Sequence, residues 1–128
     1  MAKKQNFRKN SKQDKRAAYR RGHIAEHFAA LYLRLIGYKI LRMRYRSPFG
    51  EVDIIAHKNN VLILIEVKQR TNLSNAINAV TPNAQTRIAQ AGQHYLSSFP
   101  KMANFGLRYD IIAITGFRIH HLRDAWRD

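Results

Sequence analysis

Residues 50–70 read GEVDIIAHKNNVLILIEVKQR, and this ribbon constrains the fold more than anything else in the chain. Two apolar, strand-like runs flank Asn59-Asn60, and asparagine tolerates the positive φ that a two-residue hairpin turn demands. Centred there, the hairpin pairs positions whose numbers sum to 119, so Asp53 faces Glu66 and Glu51 faces Lys68. Side chains alternate with a period of two, which puts those four on one face. The other face, Val52, Ile54, Ala56, Val61, Ile63, Ile65 and Val67, is wholly apolar and has to be buried. The first face is apolar near the turn, at Ile55, Leu62 and Leu64, and charged only at its open end. Such a ribbon is covered on both sides and carries a polar cluster at one end.

Like charges facing each other across a strand pair, their Cβ atoms only ~5 Å apart, destabilise it unless something positive lies between them. A hard divalent cation supplies that charge while keeping several waters, which leaves room for a phosphate and an attacking water. Lys68, two residues beyond Glu66, is placed to hold that water or to stabilise charge on the phosphate. The blander reading is an exposed sheet end whose acids pair with Lys68 and Arg70.

Asp53, twelve intervening residues and then Glu66-Val67-Lys68 resemble the core of the PD-(D/E)xK nuclease superfamily, which includes restriction enzymes and Holliday-junction resolvases. More closely, GHIAEHFAALYLRLIGYKIL, GEVDIIA, LILIEVKQR and LRYDIIAITG, in that order over about residues 22–126, resemble the YraN-like family of predicted endonucleases. The resemblance implies a restriction-endonuclease-like α/β fold and a Mg²⁺- or Mn²⁺-dependent nuclease. It implies that Asp53, Glu66 and the Val67 carbonyl hold the metal, that Lys68 positions water, and that Glu26 of the first helix assists. It also implies a lysine at the position of Ala84, a departure that puts a phosphate contact there in doubt. Resolvase-like relatives suggest branched or junction DNA as substrate and a homodimer as the assembly.

Among 128 residues, 23 Lys and Arg stand against 8 Asp and Glu, a net charge of +15. A polyanionic partner follows, and charge alone leaves DNA, RNA and anionic membrane open. Three of the scarce acids are Glu51, Asp53 and Glu66, which would repel a phosphate unless they carried a metal. No cysteine is present, no signal peptide is visible and no run is long enough to span a membrane, so the expectation is a cytoplasmic protein of one domain.

Residues 1–21 hold nine Lys or Arg and a single acid, Asp14, and read for the most part as a disordered basic arm, its end open to extending the first helix, ahead of a nuclease-like domain over 22–128. From His23 to Ile36, Ile24, Phe28, Leu31 and Leu35 mark a helical stripe, broadened by Ala25, Ala29, Tyr32 and Ile36 and stopped by Gly37. Glu26 falls in the first turn of that helix, where a favourable interaction with the dipole is the simpler reading. His23, Glu26 and His27 also match an H-x-x-E-H zinc-peptidase pattern, which leaves the Asp53, Glu66 and Lys68 cluster unexplained. Residues 38–45 read as a strand with Arg42, Arg44 and Arg46 in one basic row. His57 lies about 13 Å along the strand from Asp53, too far to share its metal. Residues 71–79 read as a polar loop, and Thr81-Pro82 opens a second helix. Residues 107–115 form a buried strand and 117–122 a short one, with Asp110 a structural charge partner, His120 and His121 on the surface, and Trp126 an anchor.

The expected whole is a single small α/β domain with a mixed sheet flanked by helices. Its expected work is DNA phosphodiester hydrolysis, with Arg42, Arg44, Arg46, Arg70, Gln85 and Arg87 as candidate backbone contacts. The alternative from another class is a non-catalytic nucleic-acid-binding module.

Overall fold

The computed structural model describes residues 2–127, with side chains from residue 12 onward apart from Ala18. Its elements are helix α1 (Ala2–Leu35), strands β1 (Lys39–Ser47), β2 (Gly50–Lys58) and β3 (Val61–Gln69), helices α2 (Leu73–Asn78) and α3 (Pro82–Ser97), a 3-10 turn at Pro100–Met102, and strands β4 (Gly106–Thr115) and β5 (Arg118–Trp126). The five strands lie in one sheet in chain order. Every neighbouring pair is antiparallel except β3 and β4, which are parallel and joined by the α2–α3 crossover. The expected small α/β domain with a mixed sheet flanked by helices is what the chain forms.

The central turn follows from its two asparagines. Asn59 and Asn60 take φ of 52° and 61°, and pairing runs from Lys58 and Val61 to Ile54 and Ile65 in the register read from the sequence. At the end of α1, Gly37 adopts φ 93°, its N–H donates to the Arg34 carbonyl, and the Tyr38 N–H donates to Leu33. This pair of bonds is a Schellman cap, with Lys58 Nζ on the Ile36 carbonyl at 2.9 Å adding a further donor. α3 starts as expected, the Thr81 hydroxyl accepting from the Ala84 N–H at 3.2 Å.

Two cores result. One face of the sheet packs Tyr45, Val52, Ile55, Leu62, Leu64 and Tyr109 around Ile88, Ala91 and Tyr95 of α3, with Trp126 stacked on Tyr109. The other packs Ile54, Ala56, Ile63, Ile65, Ile112 and Ile114 against Ala25, Ala29, Ala30 and Leu33 of α1. Each large side chain brought fully out of water there stabilises the fold by roughly 1.5–3 kcal/mol.

Four expectations differ from this fold. α1 begins at Ala2 rather than His23, so the segment read as a disordered arm continues the helix; it is rich in Lys, Arg, Gln and Ala and holds neither glycine nor proline before Gly22. The buried stripe of α1 is its alanine face, and Ile24, Phe28, Leu31 and Leu35 point to solvent. Small residues let the helix lie close on a sheet already filled by β-branched side chains. Residues 73–78 form α2, capped by Asn72, whose side chain accepts from the Asn75 N–H at 2.8 Å. The last strand extends to Trp126, and His121 is buried within it.

That burial belongs to a polar knot. Fully buried Asp110 receives both Arg108 guanidinium donors at 2.7 and 2.8 Å, His121 Nε2 at 2.7 Å and the Asp124 N–H at 3.0 Å. Burial alone would raise its proton affinity, but these donors outweigh it and hold the carboxyl below its ordinary range. Arg108 and His121 in turn reach Tyr38 and Tyr32, tying β4 and β5 to the end of α1.

Candidate active site

The β2–β3 ladder stops at Ile54 and Ile65, and the next residues on each side are Asp53 and Glu66. Beyond that point side chains replace the ladder. Asp53 Oδ2 accepts from the Val67 N–H at 2.8 Å, and Glu66 Oε1 lies 3.4 Å from the Asp53 N–H. β2 remains paired with β1 through Tyr45 and Val52, and β3 with β4 through Glu66 and Ile111, so two strand pairs part at a fork. The two carboxylates expected to face each other stand in its mouth.

Strict alternation breaks here, which the sequence reading did not anticipate. Val52 and Ile55 both join the α3 core and Ile54 the α1 core, while Asp53 lines a cavity on the α1 side. Val52 therefore leaves the apolar face assigned to it. The neighbouring strand is irregular too: its register shifts between Ile40 and Arg42, and Arg44 sits at φ 51°. A bulge and a left-handed residue re-aim side chains at a sheet edge. The expected row of Arg42, Arg44 and Arg46 is accordingly scattered. Arg42 lies over the Tyr45 ring, Arg46 pairs with exposed Glu51 at 3.2 Å, and Arg44 turns to α1. Glu51 is thus engaged away from Lys68.

Arg44 meets Glu26 there, Nε to Oε2 at 2.6 Å and Nη2 to Oε1 at 3.3 Å, with its guanidinium stacked over Tyr19. Glu26 is buried on the alanine face, two dozen residues into the helix, so no first-turn dipole effect applies. Helix packing instead brings it to the fork. A cavity of about 330 Å³ is lined by Arg21, Gly22, Ala25, Glu26, Asp53, Val67, Lys68, Gln69 and Arg70.

Burial raises the proton affinity of Asp53 above the usual carboxylate range; the Val67 N–H opposes this and the nearby Glu26 charge adds to it. Glu66 is raised further, by burial and then by Asp53, against an opposing effect of Lys68, whose Nζ lies 3.9 Å from Oε2. These acids are short of positive charge. Their oxygens and the Val67 carbonyl are the donors a hard cation takes, and one that keeps several waters needs no more than two carboxylates. Among the described residues no three His, Cys, Asp or Glu side chains gather as a ready cage. The zinc pattern fares worse, because it requires three protein ligands: the His23 and His27 rings stack 6.2 Å apart while Glu26 points inward to Arg44.

Of the candidate backbone contacts, Arg70 lines the cavity and donates to the Gln69 carbonyl at 2.8 Å. Gln85 instead donates to the Val80 carbonyl at 3.2 Å, and Arg87 abuts Gly50 on α3. Arg21 and Gln69 were missed. Arg21 stands five residues before Glu26, a spacing that becomes informative only once the helix is known to continue through it.

Fold and site together define a class: a small α/β domain whose two central strands part around a pair of nearly buried carboxylates, with a lysine beside them and a third acid supplied by the first helix. The model of the family described as Uncharacterised protein family UPF0102, the YraN family, matches residues 25–114, and the chain belongs to that family. A UPF0102 protein of Rhizobium meliloti is 47% identical over 110 residues, 85% of this chain and 90% of its own length. One from Agrobacterium fabrum is 45% identical over 113 residues, 88% and 93%. One from Bradyrhizobium diazoefficiens is 48% identical over 98 residues, 77% and 74%. No helix among the described residues is long and apolar enough to cross a membrane.

Proposed function

We propose that the protein is a cytoplasmic Mg²⁺- or Mn²⁺-dependent nuclease that hydrolyses DNA phosphodiester bonds at the β2–β3 fork. The observation that carries this reading is the meeting of Asp53 and Glu66, both with raised proton affinity, beside Lys68. The PD-(D/E)xK resemblance supports it, as does the net charge of +15.

Asp53, Glu66 and the Val67 carbonyl would hold the ion, which when bound supplies positive charge to the phosphate and its water. Lys68 Nζ orients the water whose oxygen forms the new P–O bond and neutralises charge developing on the phosphoryl oxygens. The attacking water gives up a proton to bulk solvent as its oxygen bonds to phosphorus, and the ester oxygen leaves on the opposite side and takes a proton from solvent. Arg44 holds Glu26 against the cavity wall, where its carboxylate orders water at the rim. Arg70 and Arg21 anchor the flanking phosphates.

The test is cleavage of labelled single-stranded, duplex, flap and four-way-junction DNA with Mg²⁺ or Mn²⁺, by wild type and by Glu66→Ala purified identically. Metal-dependent cutting that vanishes in the variant is expected. DNA binding without cutting by either protein would overturn the reading in favour of a non-catalytic binding module. That second reading draws on one residue: Ala84, in the first turn of α3, stands where the resemblance expects a lysine.

A further inference from the structure

α1 turns its alanines to the sheet and its bulky residues to water. Ile24, Phe28, Leu31 and Leu35 are 55%, 56%, 52% and 77% exposed, and beside them on the β4–β5 turn Phe117 is fully exposed and Ile119 38%. Ile24 and Phe28 border a cavity of about 260 Å³ that Phe117 and Ile119 close on its other side. The six side chains offer on the order of 700 Å² of mostly apolar surface, taking roughly 200 Å² for a whole aromatic or large aliphatic residue. That exceeds the largest patch of an ordinary monomer, ~300–600 Å², and approaches the ~800 Å² each partner contributes to a standard interface.

We propose that this face is the surface through which two copies of the chain associate, α1 packing antiparallel against its twin. The spacing points to a second copy. Positions 24, 28, 31 and 35 follow a four-three-four rhythm, the narrow seam of a coiled coil rather than the broad apolar face with which a helix lies on lipid. The rhythm also reads the same in both directions. Reversing one helix about a two-fold axis between residues 28 and 31 sets Ile24 against the partner's Leu35 and Phe28 against the partner's Leu31, as an isologous interface requires. The seam ends where it should: one, two and three turns earlier its positions fall on Arg21, Ala17 and Asp14. Phe117 adds the area that a seam of four residues lacks.

The flanks of the seam carry Arg20, Arg21, His27 and Arg34, and the acid within this stretch, Glu26, is turned inward. Association is therefore apolar and opposed by like charge, so added salt tightens it. An interface with an acidic partner would loosen. Glu26 lies opposite the seam on α1, whereas Arg21, Ala25 and Gln69 border both the fork cavity and the apolar one, so the seam runs beside the candidate site. None of this depends on whether the fork cuts DNA.

Sedimentation velocity of the full chain across micromolar concentrations, at low and high salt, tests the proposal. A monomer–dimer equilibrium that tightens with salt is expected, and Phe28→Glu should weaken it at least about 30-fold, as loss of a central anchor does. Both Phe28 and Leu31 are exposed in one copy, so circular dichroism of Phe28→Glu should match wild type. The chain has no cysteine, which permits an orientation test: Ile24→Cys/Leu35→Cys should crosslink into a dimer under mild oxidation, and Ile24→Cys alone should not. A chain that stays monomeric throughout, that dimerises equally well as Phe28→Glu, or that crosslinks through Ile24→Cys alone would overturn the proposal. So would a monomer that binds anionic vesicles through Phe28.

Discussion

Glu66→Gln keeps the shape of the fork and removes the group whose ionisation is most opposed there, and it should make the metal-free protein more stable at neutral pH. The ionised Glu66 carboxylate has almost left water, with its side chain 11% exposed. At an effective dielectric of about 20, an ionised Asp53 carboxylate roughly 5 Å away would repel it by about 3 kcal/mol. Attraction to Lys68 Nζ at 3.9 Å returns about 4 kcal/mol on the same footing. The two nearly cancel, so desolvation, several kcal/mol per ion, decides the sign. Glutamine avoids most of that cost and can still accept from the Asp53 N–H, for a net gain of about 2 kcal/mol. In a chain of this length that is a rise in Tm of roughly 6–10 °C.

Linkage fixes the pH window. Folding raises the proton affinity of Asp53 and Glu66, so the folded state binds more protons than the unfolded one. The contribution of these two acids to stability should then be greatest below the ordinary carboxylate pKa of about 4 and fall as pH rises through the raised values. The advantage of Glu66→Gln should shrink towards zero in acid and grow through neutrality. Scanning calorimetry in EDTA at a series of pH values measures this. Repeating it with millimolar Mn²⁺ should stabilise wild type, by about 2.7 kcal/mol if the ion stands at a hundred times its Kd, and the variant much less. A variant no more stable than wild type at neutral pH, or one with an advantage indifferent to pH, would refute the charge-crowding argument.

Other perturbations probe the scaffold. A Cβ on Gly92 of α3 would collide with Leu64 Cδ1 and sit 3.3 and 3.5 Å from its Cγ and Cδ2. Gly92→Ala should therefore lose about 1–2 kcal/mol net, overpacking outweighing the ~1 kcal/mol gained in helix propensity, and urea denaturation of Gly92→Ala with and without Leu64→Ala should show strong coupling. Arg108→Ala leaves the buried Asp110 short of its main partner and should cost about 3–5 kcal/mol, read by the same denaturation. Folding lowers the Asp110 pKa, so its contribution is present above the ordinary carboxylate range and lost as pH falls below it; in Asp110→Asn the acid limb of the stability profile should flatten. Asn60→Val forces a β-branched residue to φ 61° and should cost about 1–3 kcal/mol, while Asn60→Gly should be nearly neutral.

The hairpin register was legible because Asn59-Asn60 fixes the turn and a turn fixes every pair beyond it. The Gly37 stop and the Thr81-Pro82 start were legible for the same local reason. The sense of α1 was not. Its sequence carries two apolar stripes, one of bulky residues and one of alanines, and local periodicity cannot say which of them a sheet will accept. Glu26 needed that same tertiary fact to be placed beside Asp53. The broken alternation at Asp53 and the left-handed Arg44 have no composition signal, since neither aspartate nor arginine announces an irregular backbone. The scattering of Arg42, Arg44 and Arg46 follows from those two irregularities.

The strands lie across the sheet in the order in which the chain makes them, and only the β3–β4 junction spans a long crossover. Contacts within β1–β3 are local and close quickly, whereas residues 70–105 must be laid down before β4 can dock. During synthesis β3 therefore waits with one edge unpaired, and its Val61-Leu62-Ile63-Leu64-Ile65 run is the kind of segment that seeds aggregation. Glu66, Lys68 and Arg70 follow that run directly, charged residues placed as gatekeepers are. The ionic end of the ribbon thus protects the nascent chain before it has any site to serve.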